Sequence, residues 1–514
     1  MFSKVKSCAV HGVDGRMIDV EADVNDGLPV FTMVGYLSSS VRESSERVRT
    51  ALKNSGFHLP PKRITINLSP ADMRKDGSGY DLAIATAVLL SLGVTAELPM
   101  EQTLVLGELS LDGSIKAIPG VLPMVICARE EGMTSCIVPK ENVQEAALVQ
   151  GISVIGVSSL KETMEYIQGI KEYENTNVEQ PAVDTSEYLY DIDFSDVVGQ
   201  ESIKRGMEIA AAGFHNVLLT GAAGAGKSML AKRLPTILPQ MSFEESLEVT
   251  KIYSVGGMLP PEGGLIHRRP FRAPHHTISE YALIGGGRVP TPGEVSFAHY
   301  GVLFLDELPE FSKPVLEVLR QPLEERRIRI SRVQASYEFP ADFMFVAAMN
   351  PCPCGNYPDY RRCSCTEQQI RRYQSKVSGP LLDRIDIRME VKGVKQEVLF
   401  SKQKTESSKT IRARVEQARQ MQKERFAGTG LLFNSQLDGK NLEEYITLSE
   451  EGKRLVLQLF EEQELSVRGV HRVLKLARTI ADLAGSEEIE NAHLQEAAFY
   501  RNQDVFAKEV LHGN

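Results

Sequence analysis

The segment Gly221-Ala-Ala-Gly-Ala-Gly-Lys227-Ser228 constrains this chain more than any other. It fits G-x-x-x-x-G-K-[ST] at every fixed position. The apolar run Asn216-Val-Leu-Leu-Thr220 precedes it, and a helical pattern opens at Met229. A glycine-rich turn that only looks like the motif would lack those flanks. Small residues let backbone N–H groups close around phosphate oxygens at a helix N-terminus, where anions are favoured. Gly221, Ala222, Ala223, Gly224, Ala225, Gly226, Lys227, Ser228 and Met229 are therefore candidate nucleotide ligands, with ATP the expected nucleotide. Lys227 would reach the β- and γ-phosphates, and the Ser228 hydroxyl would ligate Mg²⁺.

Two more apolar runs end in polar groups suited to the same chemistry. Val302-Leu-Phe-Leu leads into Asp306-Glu307. Asp306 can hold Mg²⁺ through water, and Glu307 can orient and activate the water that attacks a γ-phosphate. Without the phosphate loop, Asp-Glu would read as two surface acids. Phe343-Met-Phe-Val-Ala-Ala348 leads into Met349-Asn350-Pro351. The Asn350 amide can touch the γ-phosphate or the water, or simply form a turn. Runs this apolar predict strands buried on both faces of a parallel sheet.

The chain has 514 residues, which predicts three or four domains. Residues 1–170 mix short strands (Ile64–Leu68, Thr103–Leu106, Cys136–Pro139) with helical stretches such as Val41–Ser55, and Asp112-Gly113 reads as a tight hairpin turn. Residues 171–193 hold seven acids against one lysine and read as a solvated linker or an acidic docking segment. Residues 194–396 alternate helices and strands, and 397–514 are helical in pattern. The net charge is −10, so no basic coat can cover nucleic acid by bulk charge. Its distribution is uneven: residues 194–396 carry 25 Lys/Arg against 22 Asp/Glu, which leaves room for a local basic channel. No apolar core follows the lysines of Met-Phe-Ser-Lys-Val-Lys, and Leu82–Val94 is too short to span a bilayer. The seven cysteines are an odd number without a secretion signal, so a reducing cytoplasm is expected, with no membrane partner.

The three strand ends resemble those of AAA+ ATPases. Phe271-Arg-Ala-Pro-His-His-Thr277, Pro292-Gly-Glu-Val-Ser296, Asn350-Pro-Cys-Pro-Cys-Gly355 and Gly379-Pro-Leu-Leu-Asp-Arg384-Ile-Asp386 narrow the resemblance to the magnesium-chelatase-like YifB/ComM family. The resemblance implies a multidomain α/β chain. It places an α+β Lon-protease-like domain (ribosomal S5 domain 2-like) at 1–170, an AAA+ core at 194–396 and a helical lid at 397–514. It further implies that Val198, Gly199 and Gln200, in Asp193-Phe-Ser-Asp-Val-Val-Gly-Gln-Glu201, line the adenine. Arg384 looks like the arginine finger that reaches a neighbouring subunit's γ-phosphate, with ion pairing to Asp383 or Asp386 as the plainer role. Arg468, in Ser466-Val-Arg468, looks like a second sensor, with Arg472 as competitor. A finger in trans implies a homo-oligomeric ring, expected to be a hexamer.

Between the Asp-Glu and Asn strands, Glu324–Phe339 reads as a hairpin. Arg327, Arg329 and Arg332 are expected on one face, either as a stripe that tracks DNA phosphates or as a charged edge that prevents aggregation. Adjacent His275 and His276 read as loop or core histidines, and the basic stretch 401–426 as a connecting helix or a nucleic-acid contact. Cys352, Cys354, Cys363 and Cys365 can close a tetrahedral Zn²⁺ site or remain free thiols. Cys8, Cys127 and Cys136 sit in apolar context and read as packing residues. The Lon family's Ser–Lys dyad falls on Asp81 or Tyr80 and near Pro123, so a non-proteolytic domain is expected; Ser78 lacks a lysine partner. The leading functional expectation is an ATP-driven ring motor on DNA, with branch migration or helicase activity. A chelatase-type or protein-remodelling ATPase is the alternative.

Overall fold

The structure is a computed structural model that describes residues 1–172, 190–260, 264–332, 335–393, 405–463 and 465–501. Most of the acidic stretch 171–193, and Lys402 and Lys404 of the basic stretch, lie outside the described residues. It is a mixed α/β chain built on two main sheets.

The first sheet has seven strands in the spatial order Phe31–Val34, Arg63–Ser69, Asp14–Asn25, Phe2–His11, Thr103–Val105, Ser135–Pro139 and Ser153–Val157. The two longest form an antiparallel hairpin that turns at His11–Asp14. Ile18, Val20, Ala22 and Val24 alternate inward, the period of two that a half-buried strand requires. Helix Asp81–Ser91 lies on this sheet almost wholly buried, so its sequence is apolar all round instead of striped. No helix of the described residues is long and apolar enough to cross a membrane. The helix expected over Val41–Ser55 is two helices, Ser39–Arg42 and Ser44–Asn54. The Ser45 hydroxyl takes the Arg42 carbonyl at 2.9 Å and so competes with the helical ladder at the join.

The second sheet has five parallel strands in the order Phe271–Arg272, Val302–Leu305, Met344–Met349, Val217–Thr220 and Ile387–Glu390. Val217, Leu219, Phe304 and Val346 face one core, where helices Glu201–Gly213, Ser408–Arg425 and Val467–Leu483 pack. Leu218, Leu303, Phe345 and Ala347 face the other, with Leu316 and Leu319. Both faces of the three central strands are covered, which is why these carry no polar alternation, whereas the edge strand Ile387–Glu390 alternates. The remaining C-terminal helices are Gly439–Tyr445, Glu450–Glu462 and Asn491–Arg501.

The two halves touch directly. Helix Val121–Glu130 packs on helix Phe243–Val255, and Leu247 and Leu265 join the front core. Buried Glu145 accepts from the Ser254 hydroxyl at 2.7 Å and from Leu122 N at 3.3 Å. The turn at His11–Asp14 forms the second contact. Val13 shares a small core with Ile252, Phe297 and Phe339. Each such side chain contributes about 1.5–3 kcal/mol when fully buried.

Candidate nucleotide site

Strand order decides what meets at the site. Met344–Met349 lies between the phosphate-loop strand and the Asp-Glu strand, with Thr220 opposite Met349 and Leu305 opposite Ala347. The parallel strands therefore deliver Gly221, Asn350 and Asp306 to one edge, the carboxyl edge where open α/β sheets bind ligands. A cavity of about 310 Å³ sits there, lined by Ala223–Met229, Asp306, Glu307, Met349 and Asn350. Helix Lys227–Arg233 begins two residues earlier than the sequence pattern suggests and points its N-terminus into the cavity.

Three oxygens hold the Lys227 ammonium in readiness: Gly221 O at 2.7 Å, Ala222 O at 2.9 Å and Asn350 Oδ1 at 3.1 Å. Burial lowers its pKa, and the charges of Asp306 and Glu307 oppose that shift. The Ser228 hydroxyl donates to Asp306 Oδ2 at 2.5 Å. A hydroxyl and a carboxylate in contact beside a phosphate-binding loop form a hard oxygen donor set that fits Mg²⁺. Glu307 lies in the left-handed backbone region (φ 53°), rare for a side-chain-bearing residue, and its amide donates to Asp306 Oδ1 at 2.9 Å. That geometry turns its carboxylate, 58% exposed, away from the sheet and towards solvent.

Sequence reading missed His276. Its Nδ1 is 3.9 Å from Glu307 Oε2, its ring packs edge-on to Phe311, and His275 lies against it at 4.0 Å. The His-His pair belongs to the mouth of the site, where it follows strand Phe271–Arg272 by only a few residues. Gln200 donates to the Lys392 carbonyl, one residue beyond Val391 on the far side of the phosphate-loop strand. Val198, Gly199 and Gln200 do not line the cavity itself.

Arg384 and Arg468 also lie outside the cavity lining. Arg384 is 8% exposed and pairs with neither Asp383 nor Asp386: its guanidinium donates to Pro380 O at 2.7 Å and to Glu324. Glu324 lies in the short helix Pro322–Glu325 that precedes the arginine hairpin. Asp386 instead receives Arg472 Nη1 at 2.7 Å and Asn216 N at 3.0 Å. Burial would raise the Asp386 carboxyl, but Arg472 and His215 outweigh it and hold it far below the usual range. Arg472 is thus committed, whereas exposed Arg468 has no ion-pair partner among the described residues.

The hairpin is present as Arg327–Ser331 paired with Ser336–Pro340. Its arginines do not share one face. Arg327 and Arg329 do, because they lie two positions apart, and Glu338 bridges both at 3.0 and 2.9 Å. Arg332 lies beyond the strand, at odd spacing, and donates to Gly287 O at 3.1 Å. The front turn seats on the hairpin: the His11 ring stacks on Tyr337 at 4.5 Å, and a Cβ on Gly12 (φ 68°) would lie 2.8 Å from Glu338 O. A cleft of about 1100 Å³ opens beside this contact, lined by residues of both halves, among them Tyr36, Ser78, Arg288 and Arg332. Helix Ser408–Arg425 uses arginines internally: Arg414 on Glu208 and Glu406, Arg419 on the Phe433 ring at 4.0 Å, Arg425 on Asp482; Lys409 and Lys423 are exposed.

The Cys352, Cys354, Cys363 and Cys365 sulfurs all lie within 4.8 Å of one another. The Cys352–Cys354, Cys354–Cys363 and Cys352–Cys363 sulfurs are 3.4, 3.6 and 3.8 Å apart. A tetrahedral ion with Zn–S of about 2.3 Å sets its sulfurs about 3.8 Å apart. The set therefore fits one Zn²⁺; a polynuclear cluster would spread the thiolates further. N–H groups of Asn356 and Ser364 lower the Cys354 thiol to about 6. Cys8 and Cys136 are buried, and Cys127 packs beside Cys8.

In the front half, Asp81 is buried and ion-paired to Arg47 at 2.8 Å; burial raises its carboxyl despite that partner. Ser78 donates to Glu108. Neither position offers a hydroxyl beside a lysine.

Fold and site together define a magnesium-chelatase-like AAA+ ATPase. Family models described as magnesium chelatase subunit ChlI match residues 193–399 and 20–142, and the model of that subunit's C-terminal region matches 405–501. The chain is 40% identical to the competence protein ComM of Haemophilus influenzae over 503 residues, 97% of each chain. It is 41% identical to YifB of Escherichia coli over 506 residues, 98% of this chain and 97% of that one. Lon protease 2 of Bacillus subtilis is 30% identical over 183 residues, 32% of each chain. The chain belongs to the YifB/ComM family.

Proposed function

We propose that this protein is an ATP-hydrolysing ring motor that moves DNA, with branch migration or helicase activity. The observation that carries the reading is the arginine hairpin, inserted between the strands that bear Glu307 and Asn350. Movement at the nucleotide edge can be passed to the hairpin along strand Met344–Met349, which follows it directly in the chain.

The working parts are assigned on this reading as follows. The phosphate-loop N–H groups and Lys227 bind the phosphates, with Val198, Gly199 and Gln200 towards the base. Ser228 and Asp306 hold Mg²⁺, which when bound offsets phosphate charge. Glu307 orients the attacking water and takes its proton; Asn350 positions Lys227. Arg384 serves the next subunit of a hexamer, and Arg468 reads nucleotide from the lid. The domains run 1–170 (Lon-like, non-proteolytic), 171–193 (linker), 194–396 (AAA+ core) and 397–514 (lid). The four cysteines hold structural Zn²⁺, and the protein works in the cytoplasm.

The chelatase family matches favour a second reading, an ATPase that remodels a protein. ATP turnover measured with and without branched, single-stranded and duplex DNA separates the two. Stimulation with salt-sensitive binding supports the motor; no stimulation and no binding at low salt refutes it. Lys227→Ala and Glu307→Gln are expected to abolish turnover in either case, and full activity in both would refute the site.

A further inference from the structure

The loop that carries the four cysteines adjoins the nucleotide cavity, whose lining ends at Asn350. The loop opens at Asn350, which accepts from Lys227. A Cβ built on Gly355 (φ 78°) would stand 3.3 Å from Ala223 N and 3.9 Å from Asn350 Cγ, so the turn lies directly on the phosphate loop. Inside the turn, Gly355 N donates to Cys352 O at 3.0 Å and Tyr357 N to the Cys352 sulfur at 3.4 Å. From the helix beyond, the Gln374 amide donates to Pro351 O at 3.0 Å.

The rest of the loop is held by turn hydrogen bonds, among them Cys363 N to Asp359 O at 2.8 Å, and by the edge-on Tyr357–Tyr360 pair. Between Pro351 and Cys365 only Pro351, Cys352 and Gly355 are buried, and the segment contains no helix or strand. Ordering each backbone residue costs about 1–2 kcal/mol, and three small buried groups do not offset that over such a length. Four sulfurs at tetrahedral spacing supply a cross-link that does.

We propose that Zn²⁺ bound by Cys352, Cys354, Cys363 and Cys365 fixes the Pro351–Gly355 turn against Ala223, and so sets nucleotide affinity through Asn350 and the phosphate loop. The inference rests on the ATP site and on four-thiolate zinc. Binding converts thiols to thiolates and releases their protons to solvent. Coupling between two ligands is reciprocal, so zinc that tightens ATP must itself be tightened by ATP.

The test uses the full chain carrying Glu307→Gln, which removes the water-activating carboxylate and leaves the phosphate ligands in place. Zinc is counted by metal analysis, withdrawn with a chelator and restored, and nucleotide binding is measured at each stage. About one zinc per chain is expected, with at least tenfold weaker ATP binding after withdrawal, recovery on adding Zn²⁺, and slower zinc loss when ATP is present. Gly355→Ala should keep its zinc yet weaken ATP at least tenfold, because its Cβ presses on Ala223; this variant separates the turn from the metal. Zinc absent even after supplementation overturns the metal reading. Zinc present with unchanged ATP affinity in the stripped protein and in Gly355→Ala overturns the coupling alone. A zinc-loaded chain that binds no nucleotide overturns the ATP site and the coupling together.

Discussion

Asp386→Asn is the most direct probe of how the nucleotide sheet is tied to the C-terminal helices. Asp386 precedes the edge strand Ile387–Glu390 and reaches helix Val467–Leu483 through Arg472. The substitution leaves an amide that still accepts from Asn216 N but offers Arg472 no charge. Removing one partner of a buried pair costs about 3–5 kcal/mol. The remaining hydrogen bond and the 18% exposure of Arg472 place this case near the lower end, about 3 kcal/mol. At about 1.4 kcal/mol per tenfold, protection from hydrogen exchange should fall about 10²-fold. The affected amides lie in Val217–Thr220 and Val467–Leu483, while Thr103–Val105 in the other sheet serves as control. The pH dependence has a defined sign. A carboxyl depressed in the fold stabilises fully above its unfolded value, about 3.9, and that contribution is lost as pH falls towards the folded value. The difference between variant and wild type should therefore be flat from pH 7 to about 5 and shrink below about 4. Equal protection at pH 7, or a gap that widens in acid, would refute the reasoning.

Glu338→Gln frees Arg327 and Arg329, so duplex affinity by fluorescence anisotropy should rise, and its salt slope steepen by up to about 0.9 per arginine. Unchanged affinity and slope would remove the hairpin from the DNA path. Gly12→Ala should cost about 1–2 kcal/mol and raise exchange in Ser336–Pro340, because both its φ and its contact with Glu338 O exclude a side chain. Arg384→Ala should cut turnover about 10³-fold with nucleotide binding kept. Mixing it with Lys227→Ala chains should restore part of that turnover, since each supplies what the other lacks; no recovery argues against action in trans.

The strand ends were legible because three short apolar runs each finish in a distinct polar group, and parallel pairing must bring such ends to one edge. Lys227, Ser228, Asp306 and Asn350 meet for that reason. What the sequence hid depends on tertiary approach or on parity. His276 reaches Glu307 only because strand Phe271–Arg272 lies next to Val302–Leu305 in space. Glu324 meets Arg384 across sixty residues, an ion pair no spacing rule suggests. Arg332 leaves the expected face because the strand stops at Ser331 and the spacing is odd. The helix break at Glu43 turns on a single serine hydroxyl, too local a competitor for periodicity to register.

The seat of the His11–Asp14 turn bears on how the protein can be dissected. Cutting the chain between its halves would leave Ile252, Phe297, Phe339, Leu247 and Leu265 facing water, along with the partly buried Tyr337 ring. Contiguous apolar surface of that kind promotes association. The acidic stretch is therefore a poor place to divide the protein: an isolated C-terminal half would self-associate through the surface the front half now covers.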